Sequence, residues 1–296
     1  MLIIRSLVVA AAGFWRFVIV VPFLLLLILC LTMIIGTKSS VFAWIFFASS
    51  ANFAMLVAMR TAFAQIGEFS TPDLWKLMKG GVKYWLLHTV VTLILFFAAA
   101  MIVRIADANG MTGLGAKLRD SGFGQTFESA MLNPFFARVM YSAAALSALF
   151  WTALLVPQAA VAWSSTQKRD PFDMLWGFGA RFFALVPVVA LTFGVIIVTN
   201  AVARGYLLVD YVFYAGYAFM AGMSGDEIET LTQSEIIDAA FGALIVVLAA
   251  YWQAVAAALA FVDRRDQGEA ERETRNVTAE DERVDAASLR RARQQV

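Results

Sequence analysis

Six stretches of the chain each run for 20 residues or more without an Asp, Glu, Lys or Arg: 17–36, 39–59, 84–103, 139–163, 182–203 and 239–262. At 1.5 Å of rise per residue, about 20 helical residues cross a ~30 Å hydrocarbon layer. Each stretch therefore predicts a transmembrane helix. None alternates apolar and polar positions with a period of two, which argues against a β-barrel. A seventh apolar stretch, 206–223, carries Asp210 within a dense mixture of Tyr, Phe and Gly. A central Asp costs ~3 kcal/mol in a membrane helix, so this stretch is assigned to the interface instead.

The approaches to these stretches repeat. RFVIVVP (residues 16–22) and RFFALVP (181–187) each open an apolar run with a basic residue and place a proline six positions on. KYWLLHT, from Lys83, is a looser copy. Ahead of two of them stand TPDLWKLMKGGVKYW (71–85) and DPFDMLWGFGARFFA (170–184). Thr71 and Asp170 are of the type that caps helix N-termini, and proline at the next position suits the first helical turn. Tryptophan, glycines and a basic residue follow. The pattern predicts short amphipathic surface helices at 72–80 and 171–179, each with a glycine bend into the bilayer. Residues 1–15 resemble a weaker version. The 20 uncharged residues from Phe17 exceed a signal-peptide core, so an uncleaved first span is expected. The fold class expected is thus all-α: a polytopic membrane bundle of six transmembrane helices in three hairpins.

Charge orients it. With the N-terminus in the cytosol, 13 Lys and Arg lie on the cytosolic side near the membrane and 6 on the other. The positive-inside rule then places both termini in the cytosol. Residues 1–262 form the expected transmembrane domain. Residues 263–296, with 17 charged side chains among 34 and no aromatic, form a solvated tail, disordered or marginally helical.

The chemistry available is sparse. A net charge of +1 supplies no field for nucleic acid. The single cysteine, Cys30, rules out an intramolecular disulfide, and the single histidine, His88, rules out a histidine cluster. No cofactor, metal site or catalytic set is expected. GLGAK (113–117) lacks P-loop spacing, and the acids Asp226, Glu227 and Glu229 form only a loop cluster. SGDE (224–227) and TQSE (232–235) read as capping boxes, the second at the start of the sixth span. No charged residue falls within the six stretches, which disfavours ion-coupled carriers. The polar groups singled out there are Asn52, His88, Gln158 and Gln253, candidates for one polar cavity or for separate interhelical hydrogen bonds. Small residues at 143/147, 144/148 and 250/254/258 allow close helix contact, within the bundle or with a membrane-protein partner.

The Pro-led surface helices, basic-aromatic span entries and charged exit AFVDRRDQ (260–267) resemble, at the level of pattern, a group of bacterial six-span integral proteins. These are the YciC-like proteins and the membrane domain found beside glycerophosphodiester phosphodiesterases. The resemblance covers residues 10–265 and implies a bacterial inner-membrane bundle, with no functional residue carried over. The function expected first from the residues is a non-catalytic scaffold, assembly or regulatory component of the envelope; the alternative is a transporter or channel for an uncharged or lipid-like solute, and a membrane enzyme using His88 or the outer acids ranks third. The partners are the lipid bilayer and a membrane protein.

Overall fold

A computed structural model describes residues 2–38, 40–68, 73–109, 133–164, 175–202 and 244–271. The described residues are helical apart from short turns, without a strand. Six helices follow in order: α1 (Leu2–Gly36), α2 (Ser40–Gln65), α3 (Leu74–Ala108), α4 (Pro134–Ser164), α5 (Phe182–Val202) and α6 (Leu244–Glu271). The stretches Leu2–Leu24, Leu74–Ala108, Pro134–Ser164 and Leu244–Glu271 are long and apolar enough to cross a membrane. The chain is a membrane protein built as a helical bundle. The stretch 206–223, GLGAK, the two capping boxes, the acids at 226–229 and the tail beyond 271 lie outside the described residues.

The helices run antiparallel in chain order. Glu68, just past α2, meets Trp163 at the end of α4 and Arg265 near the end of α6. Arg5 at the start of α1 and Arg181 just before α5 both approach Asp263 of α6. Starts of odd-numbered helices and ends of even-numbered ones therefore share one face of the bundle. α1 packs on α2, α2 on α3, and α3 on α4.

α6 is the central helix. Residues 253–261 are all buried, around the whole circumference of the helix. Its sequence explains this: AVAAALA (254–260) presents small side chains in every direction, so neighbours approach from all sides. Tyr251 stacks on Phe17 of α1 with ring centroids 4.9 Å apart. Phe261 meets Phe63 of α2 edge-on and lies against Trp163 of α4. α6 also runs on as helix past Val262 to Glu271.

The expected surface helix at 72–80 is not separate. Asp73, not Thr71, caps the helix, its carboxylate accepting from the N–H groups of Trp75 and Lys76. α3 then continues unbroken through Gly80 and Gly81 to Ala108. The two glycines serve contact, not bending. A Cβ on Gly81 would stand 3.0 Å from the Phe53 backbone of α2. Residues 2–15 likewise form one continuous helix with the first span.

The second approach does bend. Of the expected 171–179 helix, residues 175–179 are described, and they form turns rather than helix. Phe178, Ala180 and Phe182 each donate to a carbonyl three residues back. Gly177 (φ 73°), Gly179 (φ 70°) and Arg181 (φ 54°) lie in the left-handed region. This ribbon docks on α4 at its proline. Pro157 has no N–H for the Ala153 carbonyl, and Gly179 N–H donates to that carbonyl at 3.2 Å. A Cβ on Gly177 would lie 2.8 Å from Val156. Proline and glycines thus form one joint between α4 and α5.

Candidate functional site

The half of the bundle carrying Arg5, Glu68 and Arg265 is closely packed. Toward the other end the helices part around a cavity of about 1010 Å³, to which all six contribute. Its walls are apolar: Phe17, Leu24 and Ile28 of α1, Met55 of α2, Phe96 of α3, Val189 and Phe193 of α5. The small side chains Ala51, Ala144, Ala148 and Ala250 leave the space open. The stripe at 144/148 that suggested helix packing therefore faces the void, as does Ser147, whereas Ala143, Ala254 and Ala258 are buried away from it.

Few polar groups reach this space, and among the described residues no Asp, Glu, Lys or Arg lines it. His88 of α3 does, its Nε2 lying 3.2 Å from Ser147 Oγ of α4. Ser147 Oγ also lies 2.7 Å from Thr92 Oγ1. The imidazole meets Trp151 nearly edge-on at 5.3 Å and lies parallel to Phe150 at 6.4 Å. It is thus held by a hydroxyl pair and two aromatic rings. Asn52 of α2 also lines the cavity, 5% exposed, but its Oδ1 is shielded from it and has no hydrogen-bond partner among the described residues. A buried acceptor without a donor costs about 1–3 kcal/mol.

The other two predicted residues stand elsewhere. Gln253 lies behind the wall, and both ends of its amide have a partner. Its Oε1 accepts from Trp151 Nε1 at 3.4 Å, and its Nε2 donates to Thr192 Oγ1. Thr192 passes its own proton to the Val189 carbonyl at 2.9 Å. This chain ties α4, α5 and α6 together. Gln158 is fully buried in the packed half and neither amide atom has a partner among the described residues. Replacing it with methionine, of similar length, should stabilise the detergent-solubilised protein by about 1–2 kcal/mol, by sparing an unpaired buried amide. A higher unfolding midpoint for Gln158→Met checks this.

No protein-family model matches the chain, and comparisons with curated proteins and with solved structures find no match either.

Sequence reasoning missed Thr92, Trp151 and Thr192. Threonine is common in membrane helices, where it bonds its own backbone. Only the helix register shows which threonines face a partner. Arg60, directly after the uncharged stretch 39–59, belongs to that stretch's helix. The side chain is 7% exposed, inside α2 and within the packed half.

Proposed function

We propose that the chain is a six-span membrane protein that holds an uncharged, largely apolar, lipid-like molecule. The observation that supports this reading is the cavity of about 1010 Å³ with apolar walls and, among the described residues, no lining charge. Ligand sites are concave and mostly apolar, with a few fixed polar groups, and a cavity of this volume takes a molecule of drug or lipid size. An ionised ligand would leave its charge unpaired among alkyl groups, which is strongly unfavourable. Of the two expected functions, this favours handling of an uncharged solute. The scaffold reading rests on the absence of a catalytic set and draws no comparable support from the geometry.

The experiment is retention of a labelled diacylglycerol by the purified protein, with unlabelled alkane as competitor. Ala148→Trp, which places an indole in the cavity, should reduce retention by more than tenfold while the unfolding midpoint stays within a few degrees. Equal retention by wild type and Ala148→Trp overturns the reading.

The topology belongs to the same proposal. The face that gathers Arg5, Arg181, Arg264 and Arg265 is assigned to the cytosol of a bacterial inner membrane, on the positive-inside rule. In a Cys30→Ser background, a cysteine at Glu269 should label only in inverted vesicles and one at Asn109 only in intact cells. The reverse pattern contradicts it.

A further inference from the structure

A second, polar pocket lies at the charged end of the bundle, between the turn ribbon ahead of α5 and the last turns of α6. It holds about 650 Å³ and is lined in part by Trp176, Phe178, Arg181, Arg264 and Gln267. We propose that this pocket binds the phosphate of an anionic phospholipid headgroup, with Arg181 and Arg264 as its ligands.

Its position is the first argument. α5 changes from charged to apolar between Arg181 and Phe182, and α6 changes back between Val262 and Asp263. Both changes fall at one level, because Arg181 and Asp263 are neighbours across the two helices. That level is where a bilayer's apolar core gives way to its phosphates.

The state of the two arginines is the second. Arg181 lies 3.9 Å from Asp263, which Arg5 approaches from the other side at 3.8 Å. Arg264 lies 3.8 Å from Glu271, itself 70% exposed. These distances exceed hydrogen-bond range, and exposed pairs of this kind contribute little. Among the described residues neither guanidinium donates a hydrogen bond to the protein. Two forked donors at one pocket therefore remain for an acceptor with several oxygens, which a phosphate supplies.

The backbone is the third. Arg181 is the one non-glycine residue in the left-handed region among the described residues. That conformation is uncommon for a side chain of this kind and carries strain. Glycine at 177 and 179 adopts it freely, yet the third position displays a guanidinium into the pocket.

The apolar neighbours decide between a free phosphate and a lipid. Leu175, 51% exposed, and Phe178, 48%, line the pocket, and Phe183, 89% exposed, follows two residues after Arg181. A soluble phosphate has no use for them. Acyl chains descending from a headgroup would cover them.

Trp176 lines the pocket and serves as reporter. Its fluorescence, followed in the full-length protein with the other tryptophans as a constant background, is titrated with mixed micelles containing short-chain phosphatidylglycerol. The expected result is binding at least tenfold tighter than to phosphatidylcholine, unaffected by millimolar inorganic phosphate. Arg181→Gln with Arg264→Gln should remove the preference, while Arg181→Lys with Arg264→Lys keeps part of it. Equal binding of the two lipids by wild type overturns the proposal without any variant. Inorganic phosphate competing at equal strength overturns the lipid source in favour of a free anion. The diacylglycerol retention assay reports on the cavity alone, so loss of one site does not imply loss of the other.

Discussion

Gly81→Leu is expected to leave no stable folded protein, and Gly81→Ala to lower stability by about 2 kcal/mol. Two effects oppose each other. Alanine within a helix is favoured over glycine by about 1 kcal/mol, whereas overpacking typically costs about 1–3 kcal/mol. The neighbour decides which wins. A Cβ at Gly81 meets the N and Cα of Phe53 at 3.0 Å, and backbone cannot turn aside as a side-chain end can. α2 and α3 would have to separate along their contact. Gly194 of α5 is the control, since a Cβ there meets nothing within 4 Å. Gly194→Ala should therefore raise the unfolding midpoint while Gly81→Ala lowers it. The same sign for both would mean that the α2–α3 contact is not as close as described.

Loss of Glu68 should cost about 2 kcal/mol, because three helix ends meet on it. α2 closes with Gly67 in the left-handed conformation (φ 90°), Glu68 N–H reaching the Phe63 carbonyl and Gly67 N–H the Ala64 carbonyl. This closing turn aims the carboxylate back over the bundle. There it accepts from Arg265 at 2.8 Å and from Trp163 at 3.1 Å, while the Arg265 guanidinium lies 5.4 Å from the Trp163 ring centre. Removing one partner of a half-buried, charge-assisted pair costs more than an exposed salt bridge is worth. Arg265 keeps Asp266 at 3.1 Å, which limits the loss.

The Arg265 hydrogen bond holds the Glu68 carboxyl below its ordinary value of 4.5, against the opposing effect of burial. A depressed folded-state pKa stabilises fully above the unfolded value and loses that contribution as pH falls through the folded one. The wild-type midpoint should thus drop below about pH 4.5 more steeply than that of Glu68→Gln. Parallel pH profiles would remove the ion pair from the account.

What the sequence disclosed was local and one-dimensional. Uncharged runs reveal membrane helices because the bilayer enforces their length. Asn133-Pro134 shows how a boundary shifts: the first span residue was put at 139, yet Asn133 Oδ1 caps Phe135 and Phe136 and starts α4 five residues earlier. The glycines were legible as special without their purpose. Gly80–Gly81 and Gly177–Gly179 look alike in sequence, but one pair admits a neighbouring helix and the other turns the chain. The difference lies in what faces them, Phe53 in one case and Pro157 with its freed carbonyl in the other. Glu68 carried no signal, since its partners Trp163 and Arg265 are 95 and 197 residues away. Of the four polar candidates, Asn52 and His88 reach the cavity, and only tertiary register separates them from Gln158 and Gln253.

The central claim, that the apolar cavity is a binding site for an uncharged lipid-like molecule, is tested most directly by native mass spectrometry. The protein would be extracted gently from its own membrane at native expression level. The expected spectrum shows a protein peak carrying one retained uncharged species at near one-to-one ratio, lost in Ala148→Trp. A wild-type protein that emerges bare, or that carries a stoichiometric protein partner with no small molecule, would contradict it.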